Sequence, residues 1–333
     1  MIARRALAVA GAGAWGGLVL GAFAQPVRKA RIAILSNTLP PAEMTGTDPV
    51  DPTVRALVHG LRASGHIEGR DLAIDRHSAG GRLERIPSMV QEVVAQRPDV
   101  IVAFGPVLLR AAQQATGSIA IVSVGGASAM STANMTRPGG NVTGLVADAG
   151  FGPMNGKRLE LLKEAAPRAS RVVAIRPPVP EGQPPWTAEI EEASRRLGLT
   201  LSIAAAAGPG DFDAAFAAIV RDRQHAMLCV DTPANRGSLR RIVDFATRER
   251  LPAIYAQRLY VEAGGLMSYG ADLVDLGRRA AVLVDKILKG ASAGDLPIEQ
   301  PTRFELVVRQ GTARALGLAL PRTLLLRVDE VID

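Results

Sequence analysis

The chain has 333 residues, of which 47% are apolar, 21% charged and 4% aromatic, with 34 glycines and 22 prolines. This composition excludes a disordered chain and a collagen-like repeat, and the length suits roughly two domains, each able to bury its own core. Lys and Arg number 39 against 32 Asp and Glu, a formal net charge of +7. The basic residues are scattered and lack aromatic stacking platforms, which argues against a nucleic-acid partner.

The chain opens with Arg4-Arg5, continues as an uncharged Ala/Gly/Leu/Val stretch from Ala6 to about Gly21, and reaches Ala22-Phe23-Ala24 before Gln25. A basic start, an apolar middle and small residues before a cleavage point are the parts of a secretory signal peptide. Cleavage is expected after Ala24. The stretch falls short of the ~20 apolar residues that span a bilayer, and no cysteine follows it to carry a lipid. Arg4-Arg5 permits either a Sec or a twin-arginine route. Gly11, Gly13 and Gly16 fit a G-x-G-x-x-G dinucleotide fingerprint, but no strand precedes them and Arg31 stands near the position that needs a carboxylate. They are filler of the leader.

From Arg31 the apolar pattern alternates between strand-like runs and helical spacing. Ile32 to Leu35 is a strand run, and Val54, Leu57, Val58 and Leu61 then recur at helical spacing up to Gly65. A strand at Leu72 to Asp75, a helix marked by Ile86, Met89, Val90, Val93 and Val94, a strand at Val100 to Phe104, a helix over Pro106 to Thr116 and a strand at Ile119 to Val124 complete the first half. After the turn-rich Arg137 to Asn141 the plan restarts: a helix from about Asn155 to Glu164, a strand at Val172 to Ile175, a helix at Thr187 to Leu197, a strand at Leu199 to Ala204, a helix near Phe212 to Val220 and a strand at Ala226 to Val230. A helix near Leu239 to Arg248, strands at Ala253 to Tyr255 and Leu266 to Tyr269, a long helix at Leu273 to Leu288 and a strand at Phe304 to Val308 follow. Such alternation predicts an α/β protein with parallel sheets covered by helices on both faces. The elements exceed what one half needs, so two lobes joined by several crossings, with a cleft between them, are expected.

Ligands of open parallel sheets sit beyond the carboxyl ends of the strands, among loop amides and helix N-termini. That rule selects Ser36, Asn37, Gly105, Pro106, Gly125, Gly126 and Ala127 in the first half. In the second it selects Arg176, Pro177, Asp231, Thr232, Tyr255 to Gln257, and Ser268 to Gly270, Tyr269 included. No zinc-protease, paired-cysteine or Walker-type motif occurs. Gly126-Ala127-Ser128-Ala129-Met130 ends in Met where a nucleophile elbow turns on Gly. His66-Ile67-Glu68 lacks the paired cysteines of a deaminase site, because Cys229 is the one cysteine of the chain, too few for a disulfide or a zinc cage. His59, His66, His77 and His225 show no metal-ligand spacing. Neither catalysis, nor a metal, nor a cofactor is expected.

Several stretches carry a family resemblance. They are Gly60 to Arg70, Pro98 to Ala103, RPGGNVTG over Arg137 to Gly144, GKRLELLKEAAP over Gly156 to Pro167, GGLMSYGADLVDL over Gly264 to Leu276 and DLPIEQPTRFELV over Asp295 to Val307. With these the chain resembles the bacterial ABC-transporter substrate-binding proteins of the tryptophan/tyrosine-binding type. The resemblance implies a periplasmic-binding-protein type I fold, in which two Rossmann-like lobes close about a hinge on a small solute and deliver it to an inner-membrane permease with its ATPase. It implies a periplasmic monomer without nucleic-acid partners. It also implies that the chain crosses back near Gly265 to Gly270, dividing the lobes as 25–143 with 271–292, and 144–270 with 293–333. For an aromatic amino acid, Ser36, Asn37 and Ser268 would hold the carboxylate, Asp231 would answer the ammonium, and Tyr255, Tyr269 or Phe151 would stack on the ring.

The chain departs from that family where relatives read Ser-Asp-Pro-Val and it has Val124-Gly125-Gly126-Ala127, which loses a carboxylate at the cleft edge. A second departure is Val308-Arg309-Gln310-Gly311 in place of Ile-Asn-Leu-Lys. A related carboxylate is then as consistent as an amino acid, with Arg176 or Arg309 as counter-ion. Two rivals remain at this stage. A sensor of the same fold would report its ligand to a membrane receptor, and adjacent permease and ATPase genes would argue against it. An exported α/β enzyme would turn over the bound compound.

Overall fold

A computed structural model describes residues 29–126, 135–147, 151–178 and 188–333, without the side chains of 151–153 and 189. The expected signal peptide and Ala127 lie outside the described residues. The chain forms two α/β lobes, each built on one twisted sheet.

The first sheet is wholly parallel. Its strands are β1 (Ala30–Ser36), β2 (Leu72–Ser78), β3 (Val100–Phe104), β4 (Ala120–Val124), β5 (Val142–Leu145) and β11 (Ile298–Glu299), in the order β11-β5-β4-β3-β1-β2. Period-two alternation sends Ile32 and Ile34 into one apolar layer and Ala33 and Leu35 into the other. A parallel strand buried on both faces therefore reads as an unbroken apolar run. The first layer lies under α2 (Pro52–Ala63) and α11 (Leu273–Leu288), the second under α3 (Ile86–Ala95) and α4 (Pro106–Ala115). The α2 and α11 axes approach closely because glycines face the partner: a Cβ on Gly60 would stand 2.6 Å from Ala281 Cβ, and one on Gly277 2.3 Å from the Thr53 carbonyl oxygen.

The second sheet has the order β13-β12-β10-β9-β8-β6-β7. Its strands are β6 (Arg171–Arg176), β7 (Thr200–Ala205), β8 (Ala226–Cys229), β9 (Ala253–Tyr255), β10 (Met267–Ala271), β12 (Phe304–Arg309) and β13 (Glu330–Ile332). On one face lie α5 (Phe151–Ala165) and α6 (Ala188–Arg196), on the other α7 (Phe212–Arg221) and α9 (Leu239–Arg248). Smaller helices are α1 (Pro41–Met44), α8 (Pro233–Gly237), α10 (Arg258–Glu262), α12 (Gln310–Ala315) and α13 (Arg322–Leu325).

Three segments pass between the lobes: after β5, between β10 and α11, and between β11 and β12. The first sheet takes in Val142–Leu145 and Ile298–Glu299, beyond the limits of 143 and 292 that the resemblance suggested. β5 hides in the sequence behind the glycine-rich turn at Pro138 to Asn141, where four residues are too few to show a period. β12 runs antiparallel to β10, whereas parallel sheets were expected. The reason is topological. β10 leaves the second lobe at the cleft end, and the chain returns at the same end, where the Asp272 amide donates to the Arg303 carbonyl at 3.1 Å. A strand that enters where its neighbour left must run the other way. Among the described residues no helix is long and apolar enough to cross a membrane.

Candidate functional site

The carboxyl ends of the two sheets face one another across a cleft of about 880 Å³, its open mouth included.

In the first lobe the wall is mostly main chain and apolar side chain. β1 ends in Ser36, whose Oγ accepts from the Leu39 amide at 3.0 Å, and in Asn37, whose Oδ1 is buried without a hydrogen-bond partner. β3 turns into α4 through Gly105, at φ +88°, a left-handed conformation that favours glycine. Gly105 offers no side-chain cap and Pro106 no N–H. The amides of Val107 and Leu108 therefore meet no protein acceptor among the described residues, and both residues line the cleft. An uncapped helix start of this kind favours negative charge. Gly125, at φ +78°, closes β4 and donates to the Leu145 carbonyl at 2.8 Å. Asp51 caps α2, its Oδ1 accepting from the Val54 amide at 2.8 Å, and burial raises its carboxyl pKa above the usual range despite that bond. Leu39, Phe104 and Leu273 supply apolar surface.

In the second lobe the wall is built from charged and amide side chains. Asp231 follows β8; its Oδ2 accepts from Gln257 Nε2 at 2.9 Å, and its Oδ1 lies 3.1 Å from Arg236 Nε. The latter contact is close, but the N–H does not aim along it. Thr232 caps α8, accepting from the Asn235 amide at 3.1 Å, while Asn235 Nδ2 donates to the Ile175 and Val230 carbonyls at 2.9 and 2.7 Å. Those bonds fix the loop that carries Asp231 and Arg236.

Of the residues selected from the sequence, Ser36, Asn37, Gly105, Pro106, Gly125, Asp231 and Gln257 line this cleft together. Gly126 does not; it packs on Ser123 and Leu109. Thr232 is a buried cap, Ser268 is buried in β10, and Pro177 accepts a hydrogen bond from Arg176 Nη1 at 2.7 Å. Phe151 opens α5, and its side chain lies outside the described atoms. Tyr269 stacks on Phe304 at 6.1 Å between centroids, and its carbonyl accepts from Arg158. Tyr255 is a correction. Its ring is fully buried in the core behind the wall, stacked on Tyr260 at 4.7 Å, because a strand alternates its side chains and residue 255 points away from the cleft. Arg176 and Arg309 do not line the cleft either. Arg309 Nη1 donates to the Val261 carbonyl at 3.2 Å.

Sequence reasoning missed Asp51, Thr53, Leu273 and Arg236. Asp51-Pro52 before an apolar helical period is an N-cap signal that points to a helix start, and that start faces the cleft. Arg236 lies on five residues of helix without apolar period, and carried no signal. Burial raises the Cys229 thiol to about 12, which leaves it an inert core residue. Among the described residues no group of three His, Cys, Asp or Glu converges to hold a metal ion.

The family model for ABC transporter substrate binding proteins matches residues 43–332. The chain belongs to that family. A tyrosine-binding protein of Clostridioides difficile is 23% identical over 273 residues, covering 81% of this chain and 77% of its own. A conserved domain protein of Vibrio cholerae superposes with a TM-score of 0.78 at 25% identity, over 91% of this chain and all of its own. An ABC domain from Streptococcus pneumonia in complex with L-Trp gives 0.75 at 20% identity, over 90% of this chain and all of its own. The two-lobed fold is shared with both.

Proposed function

We propose that the protein is the exported solute-binding component of an ABC importer, capturing an aromatic amino acid or related carboxylate in the cleft. The observation that carries this reading is the cleft itself, in a chain of this family, lined from both lobes by the carboxyl ends of their sheets. A solute held by both walls favours the closed arrangement by its differential affinity for it, with the three crossing segments as hinge. The tyrosine-binding relative and the L-Trp complex support an amino-acid-sized solute. The basic, apolar and small-residue series up to Ala24 supports export to the periplasm, where the mature monomer would meet the permease and its ATPase. The protein is read as non-catalytic and without cofactor.

A thermal-shift screen over aromatic amino acids, their deaminated analogues and dicarboxylates tests the reading. A solute at ~100 times its Kd adds about 2.7 kcal/mol of apparent stability. A screen in which no compound raises Tm, with calorimetry agreeing, overturns solute capture. Recovery of a chemically altered solute overturns the non-catalytic reading.

A further inference from the structure

Among the described residues, the cleft is lined by three charged side chains: Asp51, Asp231 and Arg236. Both carboxylates already serve the protein. Asp51 gives its Oδ1 to the amide of Val54 at the start of α2, and Asp231 meets Gln257 on one oxygen and Arg236 on the other. An ammonium group arriving here would have to compete with the Gln257 amide on one oxygen of Asp231 and face the positive charge of Arg236 beside the other. The guanidinium is in the opposite condition. Arg236 Nε lies 3.1 Å from Asp231 Oδ1 with poor alignment, and the two terminal nitrogens of Arg236 donate to no protein acceptor among the described residues. Other arginines near the same sheet are spent on carbonyls: Arg158 on Tyr269, Arg176 on Pro177 and Arg309 on Val261. A planar fork with its outer donors open suits the two oxygens of a carboxylate.

The facing wall agrees. The uncapped start of α4 favours negative charge there as well, and Leu39, Phe104, Leu108 and Leu273 provide a surface for an apolar body. Asn37, which also lines the cleft, buries its Oδ1 without a hydrogen-bond partner.

We propose that Arg236 anchors the anionic end of the solute, and that the cleft takes an apolar carboxylate without requiring an α-ammonium group. This rests on the solute-capture reading and names the chemical class within it.

Titration calorimetry of the mature protein with matched pairs tests the proposal: 3-phenylpropionate against phenylalanine, and indole-3-propionate against tryptophan. The deaminated member of a pair is expected to bind at least as tightly as its amino acid. Arg236→Gln should weaken it ten-fold or more, and Arg236→Lys, which keeps the charge and loses the fork, should weaken it by less. If Arg236→Gln does not fold, Arg236→Lys carries the same comparison. Amino acids binding ten-fold more tightly than their partners, or carboxylate affinity indifferent to both substitutions, overturns the proposal and leaves solute capture standing. Binding of neither series to the unmodified protein overturns the proposal, and solute capture then stands or falls on the thermal-shift screen.

Discussion

The two walls of the cleft are made in different ways. The first-lobe wall is shaped by backbone: left-handed turns at Gly105 and Gly125, the open start of α4, and the packing of α2 on α11. The second-lobe wall is made by side chains: Asp231 and Arg236, on a loop fixed by Asn235, and Gln257, which follows β9. A backbone wall is set by the fold and tolerates few changes, while a side-chain wall can change its chemistry with little effect on folding. Solute choice should therefore respond mainly to the second lobe, and stability mainly to the first.

The largest effect expected is Gly277→Ala. Its Cβ would stand 2.3 Å from the Thr53 carbonyl oxygen, a backbone atom that cannot swing aside. The cost should be roughly 2–4 kcal/mol, in the range of severe overpacking. Displacing Thr53 also moves the start of α2, so solute affinity should fall with stability. Gly156→Ala on α5 is the matched control, since its Cβ would meet Ala193 Cβ at 3.4 Å, and chemical denaturation should find it within about 1 kcal/mol of neutral. Equal costs at the two positions would break the contrast.

Asp231→Asn probes the other wall. It leaves Gln257 an acceptor but withdraws the charge beside Arg236. Affinity for 3-phenylpropionate should hold or rise a few-fold by calorimetry, with Tm nearly unchanged. A ten-fold loss confined to phenylalanine, about 1.4 kcal/mol, would return Asp231 to the ammonium role that its chemistry and position suggested from the sequence.

This division also explains what could be read without coordinates. Ile32 to Leu35 and Val172 to Ile175 announce buried parallel strands by composition alone, and the position of their carboxyl ends then follows from a general rule. That logic reached Ser36, Asn37, Gly105, Gly125 and Asp231. It failed at Tyr255, because a three-residue strand gives no alternation from which to tell the cleft side from the core side. It failed at Arg236, because a short polar helix has no period. It chose Arg176 and Arg309 as counter-ions, and only the carbonyls they serve show that these charges are spent. β11 has two residues and no pattern to read.

The crossing between the lobes should respond to pH. Burial, with Asp272 and then Glu330 and Asp329 adding like charge, pushes the Glu305 carboxyl up to about 7, and Arg258 at 3.9 Å offsets part of this. The folded protein then holds a proton that the unfolded chain releases near its ordinary value of 4.5. Stability should fall as pH rises from about 4.5 to 7 and level off above, since the unfolded state binds fewer protons in that window. Glu305→Gln should flatten this slope and add about 1 kcal/mol at pH 8, a figure reduced for partial solvent screening. Urea unfolding between pH 4.5 and 8 checks the sign; an unchanged slope would show that Glu305 titrates as an ordinary surface carboxylate.

The smallest effect separates a core ring from a cleft ring. Tyr255 buries its hydroxyl without a hydrogen-bond partner, and burial holds its pKa well above the ordinary value. An unpaired buried hydroxyl costs about 1–3 kcal/mol to desolvate, and replacing it with hydrogen leaves no acceptor orphaned. Tyr255→Phe should therefore be neutral or more stable by up to about 1 kcal/mol, and the stack on Tyr260 should survive. Because residue 255 faces the core layer and not the solute, calorimetric affinity should be unchanged. A Tyr255→Phe protein of normal Tm that has lost solute affinity would mean that this ring reaches the cleft in the bound state, and the second-lobe wall would then extend from Gln257 back into β9.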